Sequence, residues 1–276
     1  MRRFVPRRRP TAHAARIARA TAKRLALASA PEPARNQRMI LAILQARMSS
    51  TRLPGKVLMP LQRQPMIVRQ IERVARSKRI DKLVVATSDR PEDDAIEAAV
   101  RREGIAVFRG SLDNVQQRFI GALDAHPADH VVRLTADCPL ADPTLIDATI
   151  DLCLSKGADY VSNTPEGHAH PKGTDVEVMT AAALRRAAAE ATTKEAFEHV
   201  TWDLWNQPQR WTCAWLPCFP DQGAVRWTVD RPDDYAFVAA VYDALYPANR
   251  AFTSDDIRAF VAGRPDLQDY GGDRRA

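Results

Sequence analysis

From residue 39 to residue 262, continuous apolar runs alternate with stretches whose apolar residues recur at helical spacing. The opening run, Met39-Ile40-Leu41-Ala42-Ile43-Leu44, has no polar break and predicts a strand over 39–45 buried on both faces. The spacing from Pro65 to Val74 predicts a helix, and Lys82-Leu83-Val84-Val85-Ala86-Thr87 a second strand. Pro91 with Glu92, Asp93 and Asp94 opens a helix that ends at Glu103, where Gly104 closes it. A strand over 105–108, a helix over 113–125 and a strand over 130–135 follow. Asp142-Pro143 pairs a capping side chain with proline at the first helical position, predicting a helix to Ser155. Strands over 158–162, 174–179, 210–216 and 225–229 and helices over 181–191, 194–205, 233–246 and 254–262 complete the chain. This alternation predicts an α/β fold, a Rossmann-like, mostly parallel sheet with helices on both faces.

The 276 residues, 45% apolar and 27% charged, suit one large globular domain. The net charge of +6 suggests a nucleic-acid binder until its placement is read. Eleven Arg and Lys against the single acid Glu32 put +10 on residues 1–38, which leaves −4 on residues 39–276. The division is therefore a basic extension over 1–38, loose or with a marginal helix over 12–29, and a folded domain over 39–276. An Arg-rich, acid-poor leader also fits a transit peptide or a polyanion-binding arm, but the acidic balance of the domain argues against nucleic acid as its partner. The longest apolar stretch of the extension, Leu25-Ala26-Leu27-Ala28, is too short to span a membrane, so no membrane partner is expected. Cys138, Cys153, Cys213 and Cys218 have neither disulfide nor zinc spacing, and reduced thiols in the cytoplasm are the expectation.

Chemistry concentrates where strands end. After the first strand, Gln45-Ala46-Arg47-Met48-Ser49-Ser50-Thr51-Arg52-Leu53-Pro54-Gly55-Lys56 sets three cations, three hydroxyls and a Pro-Gly turn at a sheet edge, a cradle suited to phosphate. It is not a Walker A loop, because Val57 follows Lys56. Asp137, in Thr135-Ala136-Asp137-Cys138-Pro139, stands at another strand end, placed to hold magnesium beside a phosphate or to bond its own turn. Asp230 ends the 225–229 strand, where it can converge with Asp137 on one edge of the sheet or cap the helix that follows. Alternation sends Asp175 and Glu177 to one face of a strand, where they read as substrate contacts or as a solvated face. His199 reads as a hydrogen-bonded structural histidine or as a base, and His168 and His170 lack a third metal ligand. Trp202, Trp205, Trp211, Trp215 and Trp227 read as core or pocket walls.

Gln45 to Lys56 resembles the signature loop of the sugar-acid cytidylyltransferases, most closely their spore coat polysaccharide branch, with Ser49 where that family has glycine. Thr135 to Leu140, Asp175-Val176-Glu177-Val178, Glu198-His199-Val200-Thr201 and the late Asp230 fall in the same order. Phe197 stands where the branch tends to have arginine. The resemblance implies a nucleotide-diphospho-sugar transferase type of fold and transfer of CMP from CTP to a sugar or sugar acid, releasing pyrophosphate for polysaccharide or glycoconjugate precursors. It implies that Arg47, Arg52 and Lys56, with Ser50, hold the phosphates, and that Asp137 and Asp230 hold magnesium. Ser88 and Asp89 are implied to face base or ribose, with Arg109 and Arg118 completing the nucleotide side. Asp175, Glu177, Glu198 and His199 are implied to meet the acceptor. A homodimer is a further expectation of the resemblance. Chains of the family begin near Met39, so residues 1–38 are expected to precede the true start. A glycosyltransferase of the related fold is the competing enzyme, but it usually carries Asp-x-Asp where this chain has Thr135-Ala136-Asp137.

Overall fold

β1 (Ile40–Gln45) divides its side chains between two cores, with Ile40, Ala42 and Leu44 on one face and Leu41 and Ile43 on the other. Fully burying side chains of this size contributes about 1.5–3 kcal/mol each, which makes β1 the natural centre of the sheet. The computed structural model describes residues 38–164 and 169–276, so the helix expected over 12–29 and His168 lie outside the described residues. After β1 come a short hairpin, β2 (Pro60–Leu61) and β3 (Gln64–Pro65), then β4 (Lys82–Ser88), β5 (Ala106–Gly110), β6 (His130–Thr135), β7 (Tyr160–Ser162), β8 (Glu177–Thr180) and β9 (Cys213–Trp215).

Seven strands form one sheet in the order β5-β4-β1-β6-β8-β7-β9. β1 pairs in parallel with β4 and β6, β4 with β5, and β7 with β9, while β8 runs antiparallel between β6 and β7. The expected mostly parallel α/β sheet is borne out. The chain winds outward from β1 through β4 to β5, then returns to place β6 on the other side of β1. The carboxyl ends of β1 and β6 thus flank a reversal of winding direction, where open α/β sheets have their crevice.

Helices α1 (Met66–Val74), α2 (Asp94–Arg102) and α4 (Pro143–Lys156) pack on one face, and α3 (Val115–Ala125) and α5 (Ala181–Glu190) on the other. α6 (Lys194–Glu198) and α7 (Trp202–Asn206) follow, and α8 (Pro232–Leu245), α9 (Ser254–Ala262) and α10 (Pro265–Gln268) end the chain. The cap read at Asp142 is present, its Oδ1 accepting from the Thr144 backbone at 2.8 Å. A third core gathers Trp227, Phe237, Val241, Tyr242, Phe252 and Ile257 beneath the crevice. No helix of the described residues is long and apolar enough to cross a membrane.

Two expectations are corrected, and one element lies beyond them. The helix over 194–205 is two short helices, because Val200 adopts a left-handed φ of 45° between them and no helix passes through such a residue. The strand over 225–229 is an extended segment with one bridge, Lys172 to Arg226. It is seated instead by close backbone approach: the Trp227 amide donates to Lys172 O at 2.7 Å, and the Val229 amide to Asp137 O at 2.8 Å. Gly173 permits this contact, since a Cβ there would lie 2.4 Å from Thr228 N, and its φ is 102°. The β2–β3 hairpin was not foreseen. Gln62 and Arg63 both take left-handed φ without glycine, held by Arg69, which donates from Nε to Leu61 O at 3.0 Å and from Nη2 to Gln62 O at 2.6 Å.

Candidate functional site

The loop from Ala46 to Lys56 folds back on itself. Gly55, at φ 72°, donates its amide to Met48 O at 3.0 Å, and the Met48 amide donates to the buried carboxylate of Asp93 at 2.8 Å. This turn sends Lys56 inward. Its ammonium donates to Val229 O at 2.6 Å, Asp230 Oδ1 at 3.0 Å and Asp137 Oδ2 at 3.1 Å, using its three protons. Two carboxylates 93 positions apart in sequence are thereby gathered on one cation, through the docking of 225–229 against Asp137 described above.

Arg52 reaches Asp230 from the open side at 2.7 Å and Arg226 from below at 2.7 Å. Burial raises the Asp230 carboxyl, yet Lys56, Arg226 and Arg52 together hold it below the usual carboxylate range. Asp137 is less engaged, with one oxygen on Lys56 and the other 3.5 Å from the Cys138 thiol. Among the described residues no group of three or more His, Cys, Asp and Glu side chains is arranged to hold a metal ion.

Of the residues singled out from sequence, Arg47, Ser50, Arg52, Lys56, Arg118, Asp137, Glu198, His199 and Asp230 line one cleft. Arg47 lies 3.9 Å from Glu198, and the turn at Val200 holds Glu198 and His199 on the wall. Arg118 is buried with its Nε unpartnered, and burial draws its guanidinium down to about 10. Ser88 faces away, toward a depression behind the cradle lined by Met48, Ser49 and Gly55, and its hydroxyl donates to Asp93. Asp89 is exposed and acts on Arg118 as a neighbouring charge. Arg109 braces the edge of the sheet, paired with Asp94 and Glu97. Ser49 is not among the left-handed residues of the described chain, so serine in place of glycine carries no backbone penalty there.

A second cavity of about 790 Å³ adjoins the cleft, and Asp175, Glu177, His170 and Lys172 line it with Trp205 and Trp215. Glu177 is occupied by protein partners: Tyr160 Oη donates at 2.5 Å, Thr201 Oγ1 at 2.6 Å, and Arg133 forms an ion pair. Asp175 has no such pair, and burial with the nearby charges of Asp137 and Glu177 pushes its carboxyl up to about 6. A carboxyl raised in the fold binds its proton more tightly than in the unfolded chain, so its ionisation costs stability above pH 6. Asp175→Asn is expected to stabilise the ligand-free protein by a few kcal/mol at pH 8, with the gain fading below pH 6. Thermal unfolding at the two pH values checks this, and an equal effect at both would contradict it.

Sequence reasoning missed Arg133, Arg226, Asp234 and Arg275. For Arg133 and Arg226 the signal was a charged residue among apolar neighbours, as in His130-Val131-Val132-Arg133-Leu134, since a buried charge requires a partner; Asp234 and Arg275 stand in charged stretches that carry no such signal.

A family model described as cytidylyltransferase matches residues 41–202. The spore coat polysaccharide biosynthesis protein SpsF of Bacillus subtilis (strain 168) is 37% identical over 213 residues, 74% of this chain and 86% of that protein. A solved cytidylyltransferase from Leptospira borgpetersenii serovar Hardjo-bovis (strain JB197) superposes with a TM-score of 0.79 at 27% identity, covering 83% of this chain and 96% of that one. CMP:2-keto-3-deoxy-manno-octonic acid synthetase, solved in complex with CTP, shares the fold with a TM-score of 0.58 at 18% identity over 74% of this chain and 98% of that one. The family match runs from β1 through the cradle and Asp137 to the turn at Val200, so the likeness takes in cleft-lining side chains as well as the fold, and the chain belongs to the cytidylyltransferase family.

Proposed function

We propose that this enzyme transfers CMP from CTP to a sugar or sugar acid with magnesium, releasing pyrophosphate and supplying precursors for a surface polysaccharide or glycoconjugate. The observation that carries the reading is the convergence of Asp137 and Asp230 on Lys56 beneath a cleft whose rim bears Arg47 and Arg52. Arg47, Arg52 and Ser50 bind the β- and γ-phosphates, and Lys56, its protons spent on Val229, Asp137 and Asp230, adds a fixed charge beneath them that neutralises the departing pyrophosphate, a catalysis of positioning and charge. The buried Nε of Arg118 serves the nucleoside side, while Ser88 and Asp89, which do not line the cleft, have no part in it.

The donor set fits magnesium, which takes one or two carboxylates and completes its shell with water and substrate phosphate. Asp137 has an oxygen bonded only weakly to a thiol, and Asp230 stands beside it on the same lysine. Bound there, magnesium supplies Lewis-acid polarisation of the phosphates. The second cavity receives the acceptor, with Asp175 on its polar side and Trp205 and Trp215 as apolar walls, while Glu198 and His199 meet it from the adjoining cleft.

The test is Asp137→Asn in the full chain. With CTP, magnesium and a sugar-acid acceptor, turnover is expected to fall roughly 10³-fold while the thermal unfolding midpoint stays near that of the parent. Near-normal turnover would remove the metal assignment.

A further inference from the structure

Nucleotidyl transfer joins an atom held in one cavity to an atom held in the other, so the reacting centres meet where the cavities meet. Among the described residues two line both the cleft and the second cavity, Arg133 and Thr135, on the same face of β6. Arg133 stands directly opposite Glu177 in the β6–β8 register. Its Nε donates to Gln45 Oε1 at 3.1 Å and its Nη1 to Glu177, while Nη2 has no partner among the described residues. Glu177 is fixed in turn by Tyr160 and Thr201, so the guanidinium is held on two edges and open on the third.

We propose that Arg133 is a catalytic residue of the transfer, its free Nη2 edge donating to a non-bridging oxygen of the α-phosphoryl group. The proposal rests on the reading of the cleft as the triphosphate site and of the second cavity as the acceptor site. As the acceptor oxygen bonds to the α-phosphorus, the bond to the bridging oxygen of the β-phosphate breaks. Pyrophosphate leaves with that electron pair, and the hydroxyl proton passes to solvent. Charge grows on the non-bridging oxygens during this step, and a guanidinium already oriented stabilises it without reorganising. Burial alone disfavours the cation, but Glu177 overcomes that and keeps Arg133 protonated. Glu177 is then a positioning residue, which explains why its oxygens face protein donors inside a cavity meant for substrate.

The experiment uses the full chain with magnesium and CTP, reading CTP affinity and the single-turnover rate of transfer separately. Arg133→Met is expected to leave the Kd for CTP within threefold and to slow single-turnover transfer roughly 10²–10³-fold. Arg133→Lys, which cannot serve Gln45, Glu177 and a phosphoryl oxygen together, recovers only part of the rate. Because Arg133→Met strands the buried Glu177 charge, the paired variant Arg133→Met/Glu177→Gln serves as the control for folding, with the same loss of rate expected. A single-turnover rate within threefold of the parent, or a loss confined to acceptor KM, would overturn the assignment and leave the transferase reading standing. A parent protein that binds no CTP would bring down both.

Discussion

Replacing Lys56 with methionine is expected to lower CMP transfer roughly 10³-fold, a loss of about 4 kcal/mol of transition-state stabilisation. The ammonium does two things at once. It sits at the floor of the cleft, where the proposed transfer would develop pyrophosphate charge, and it spans Asp137 and Asp230, so that neither carboxylate faces the other unscreened. Methionine keeps the volume and the apolar stem but removes the three donated hydrogen bonds. Asp230 retains Arg52 and Arg226, and Asp137 is 29% exposed, so the fold is expected to survive with a modest drop in the unfolding midpoint. Pyrophosphate release and thermal unfolding measured on the same preparation separate the two effects. A rate within tenfold of the parent would mean that the convergence on Lys56 is structural.

The largest effect on stability is expected from Arg275→Met. Arg275 and Asp234 are both fully buried and pair at 2.9 Å. Around them Arg275 Nη1 donates to Arg226 O at 2.7 Å, its backbone oxygen accepts from Trp227 Nε1 at 2.9 Å, and its guanidinium lies 4.9 Å from the centre of the Phe237 ring. Asp234 also receives the amides of Asp230 and Arg231 at 3.0 and 2.9 Å, so the network ends at the cleft. Removing one partner of such a pair leaves the other charge buried, a cost of about 3–5 kcal/mol. Burial raises the Asp234 carboxyl, but Arg226 and Arg275 outweigh it and hold it far below its ordinary range. A depressed carboxyl contributes stability that is complete above about pH 4 and drains away as the pH falls below it. Denaturant unfolding at pH 7 is expected to show the full difference between parent and variant, and the difference should narrow in acid. A difference under 1 kcal/mol at pH 7 would contradict the account.

The parts of this fold legible in the sequence are those that local rules decide. Apolar runs marked β1, β4 and, interrupted by Arg133, β6, and Asp142-Pro143 marked the start of α4, because burial and capping act within a few residues. The departures arise where distant contacts overrule local preference. Val200 breaks a helical pattern through its left-handed backbone, with its carbonyl accepting from the buried Gln116 amide at 3.0 Å. Residues 225–229 alternate like a strand but find their partners in the backbone of Lys172 and Asp137, an approach that Gly173 permits and no pattern announces.

The site divides the same way. Loop chemistry and strand-end position pointed to Lys56, Asp137 and Asp230, and the structure brings these three together. Glu177 was read as a substrate contact because alternation shows which face a side chain takes but not what already occupies it. Arg133, Arg226 and Arg275 went unread because their roles depend on carboxylates 44, 8 and 41 positions away. Ser49, the one departure from the loop signature, is explained by a backbone that does not need glycine at that position.

The central claim is tested most directly by pyrophosphate release from the full chain with magnesium, each of the four nucleoside triphosphates in turn, and a panel of octulosonic acids, nonulosonic acids and sugar phosphates. Release that requires both CTP and one acceptor is the result predicted here. Silence with every acceptor, together with tight binding of a finished nucleotide sugar, would contradict it and point to a glycosyltransferase.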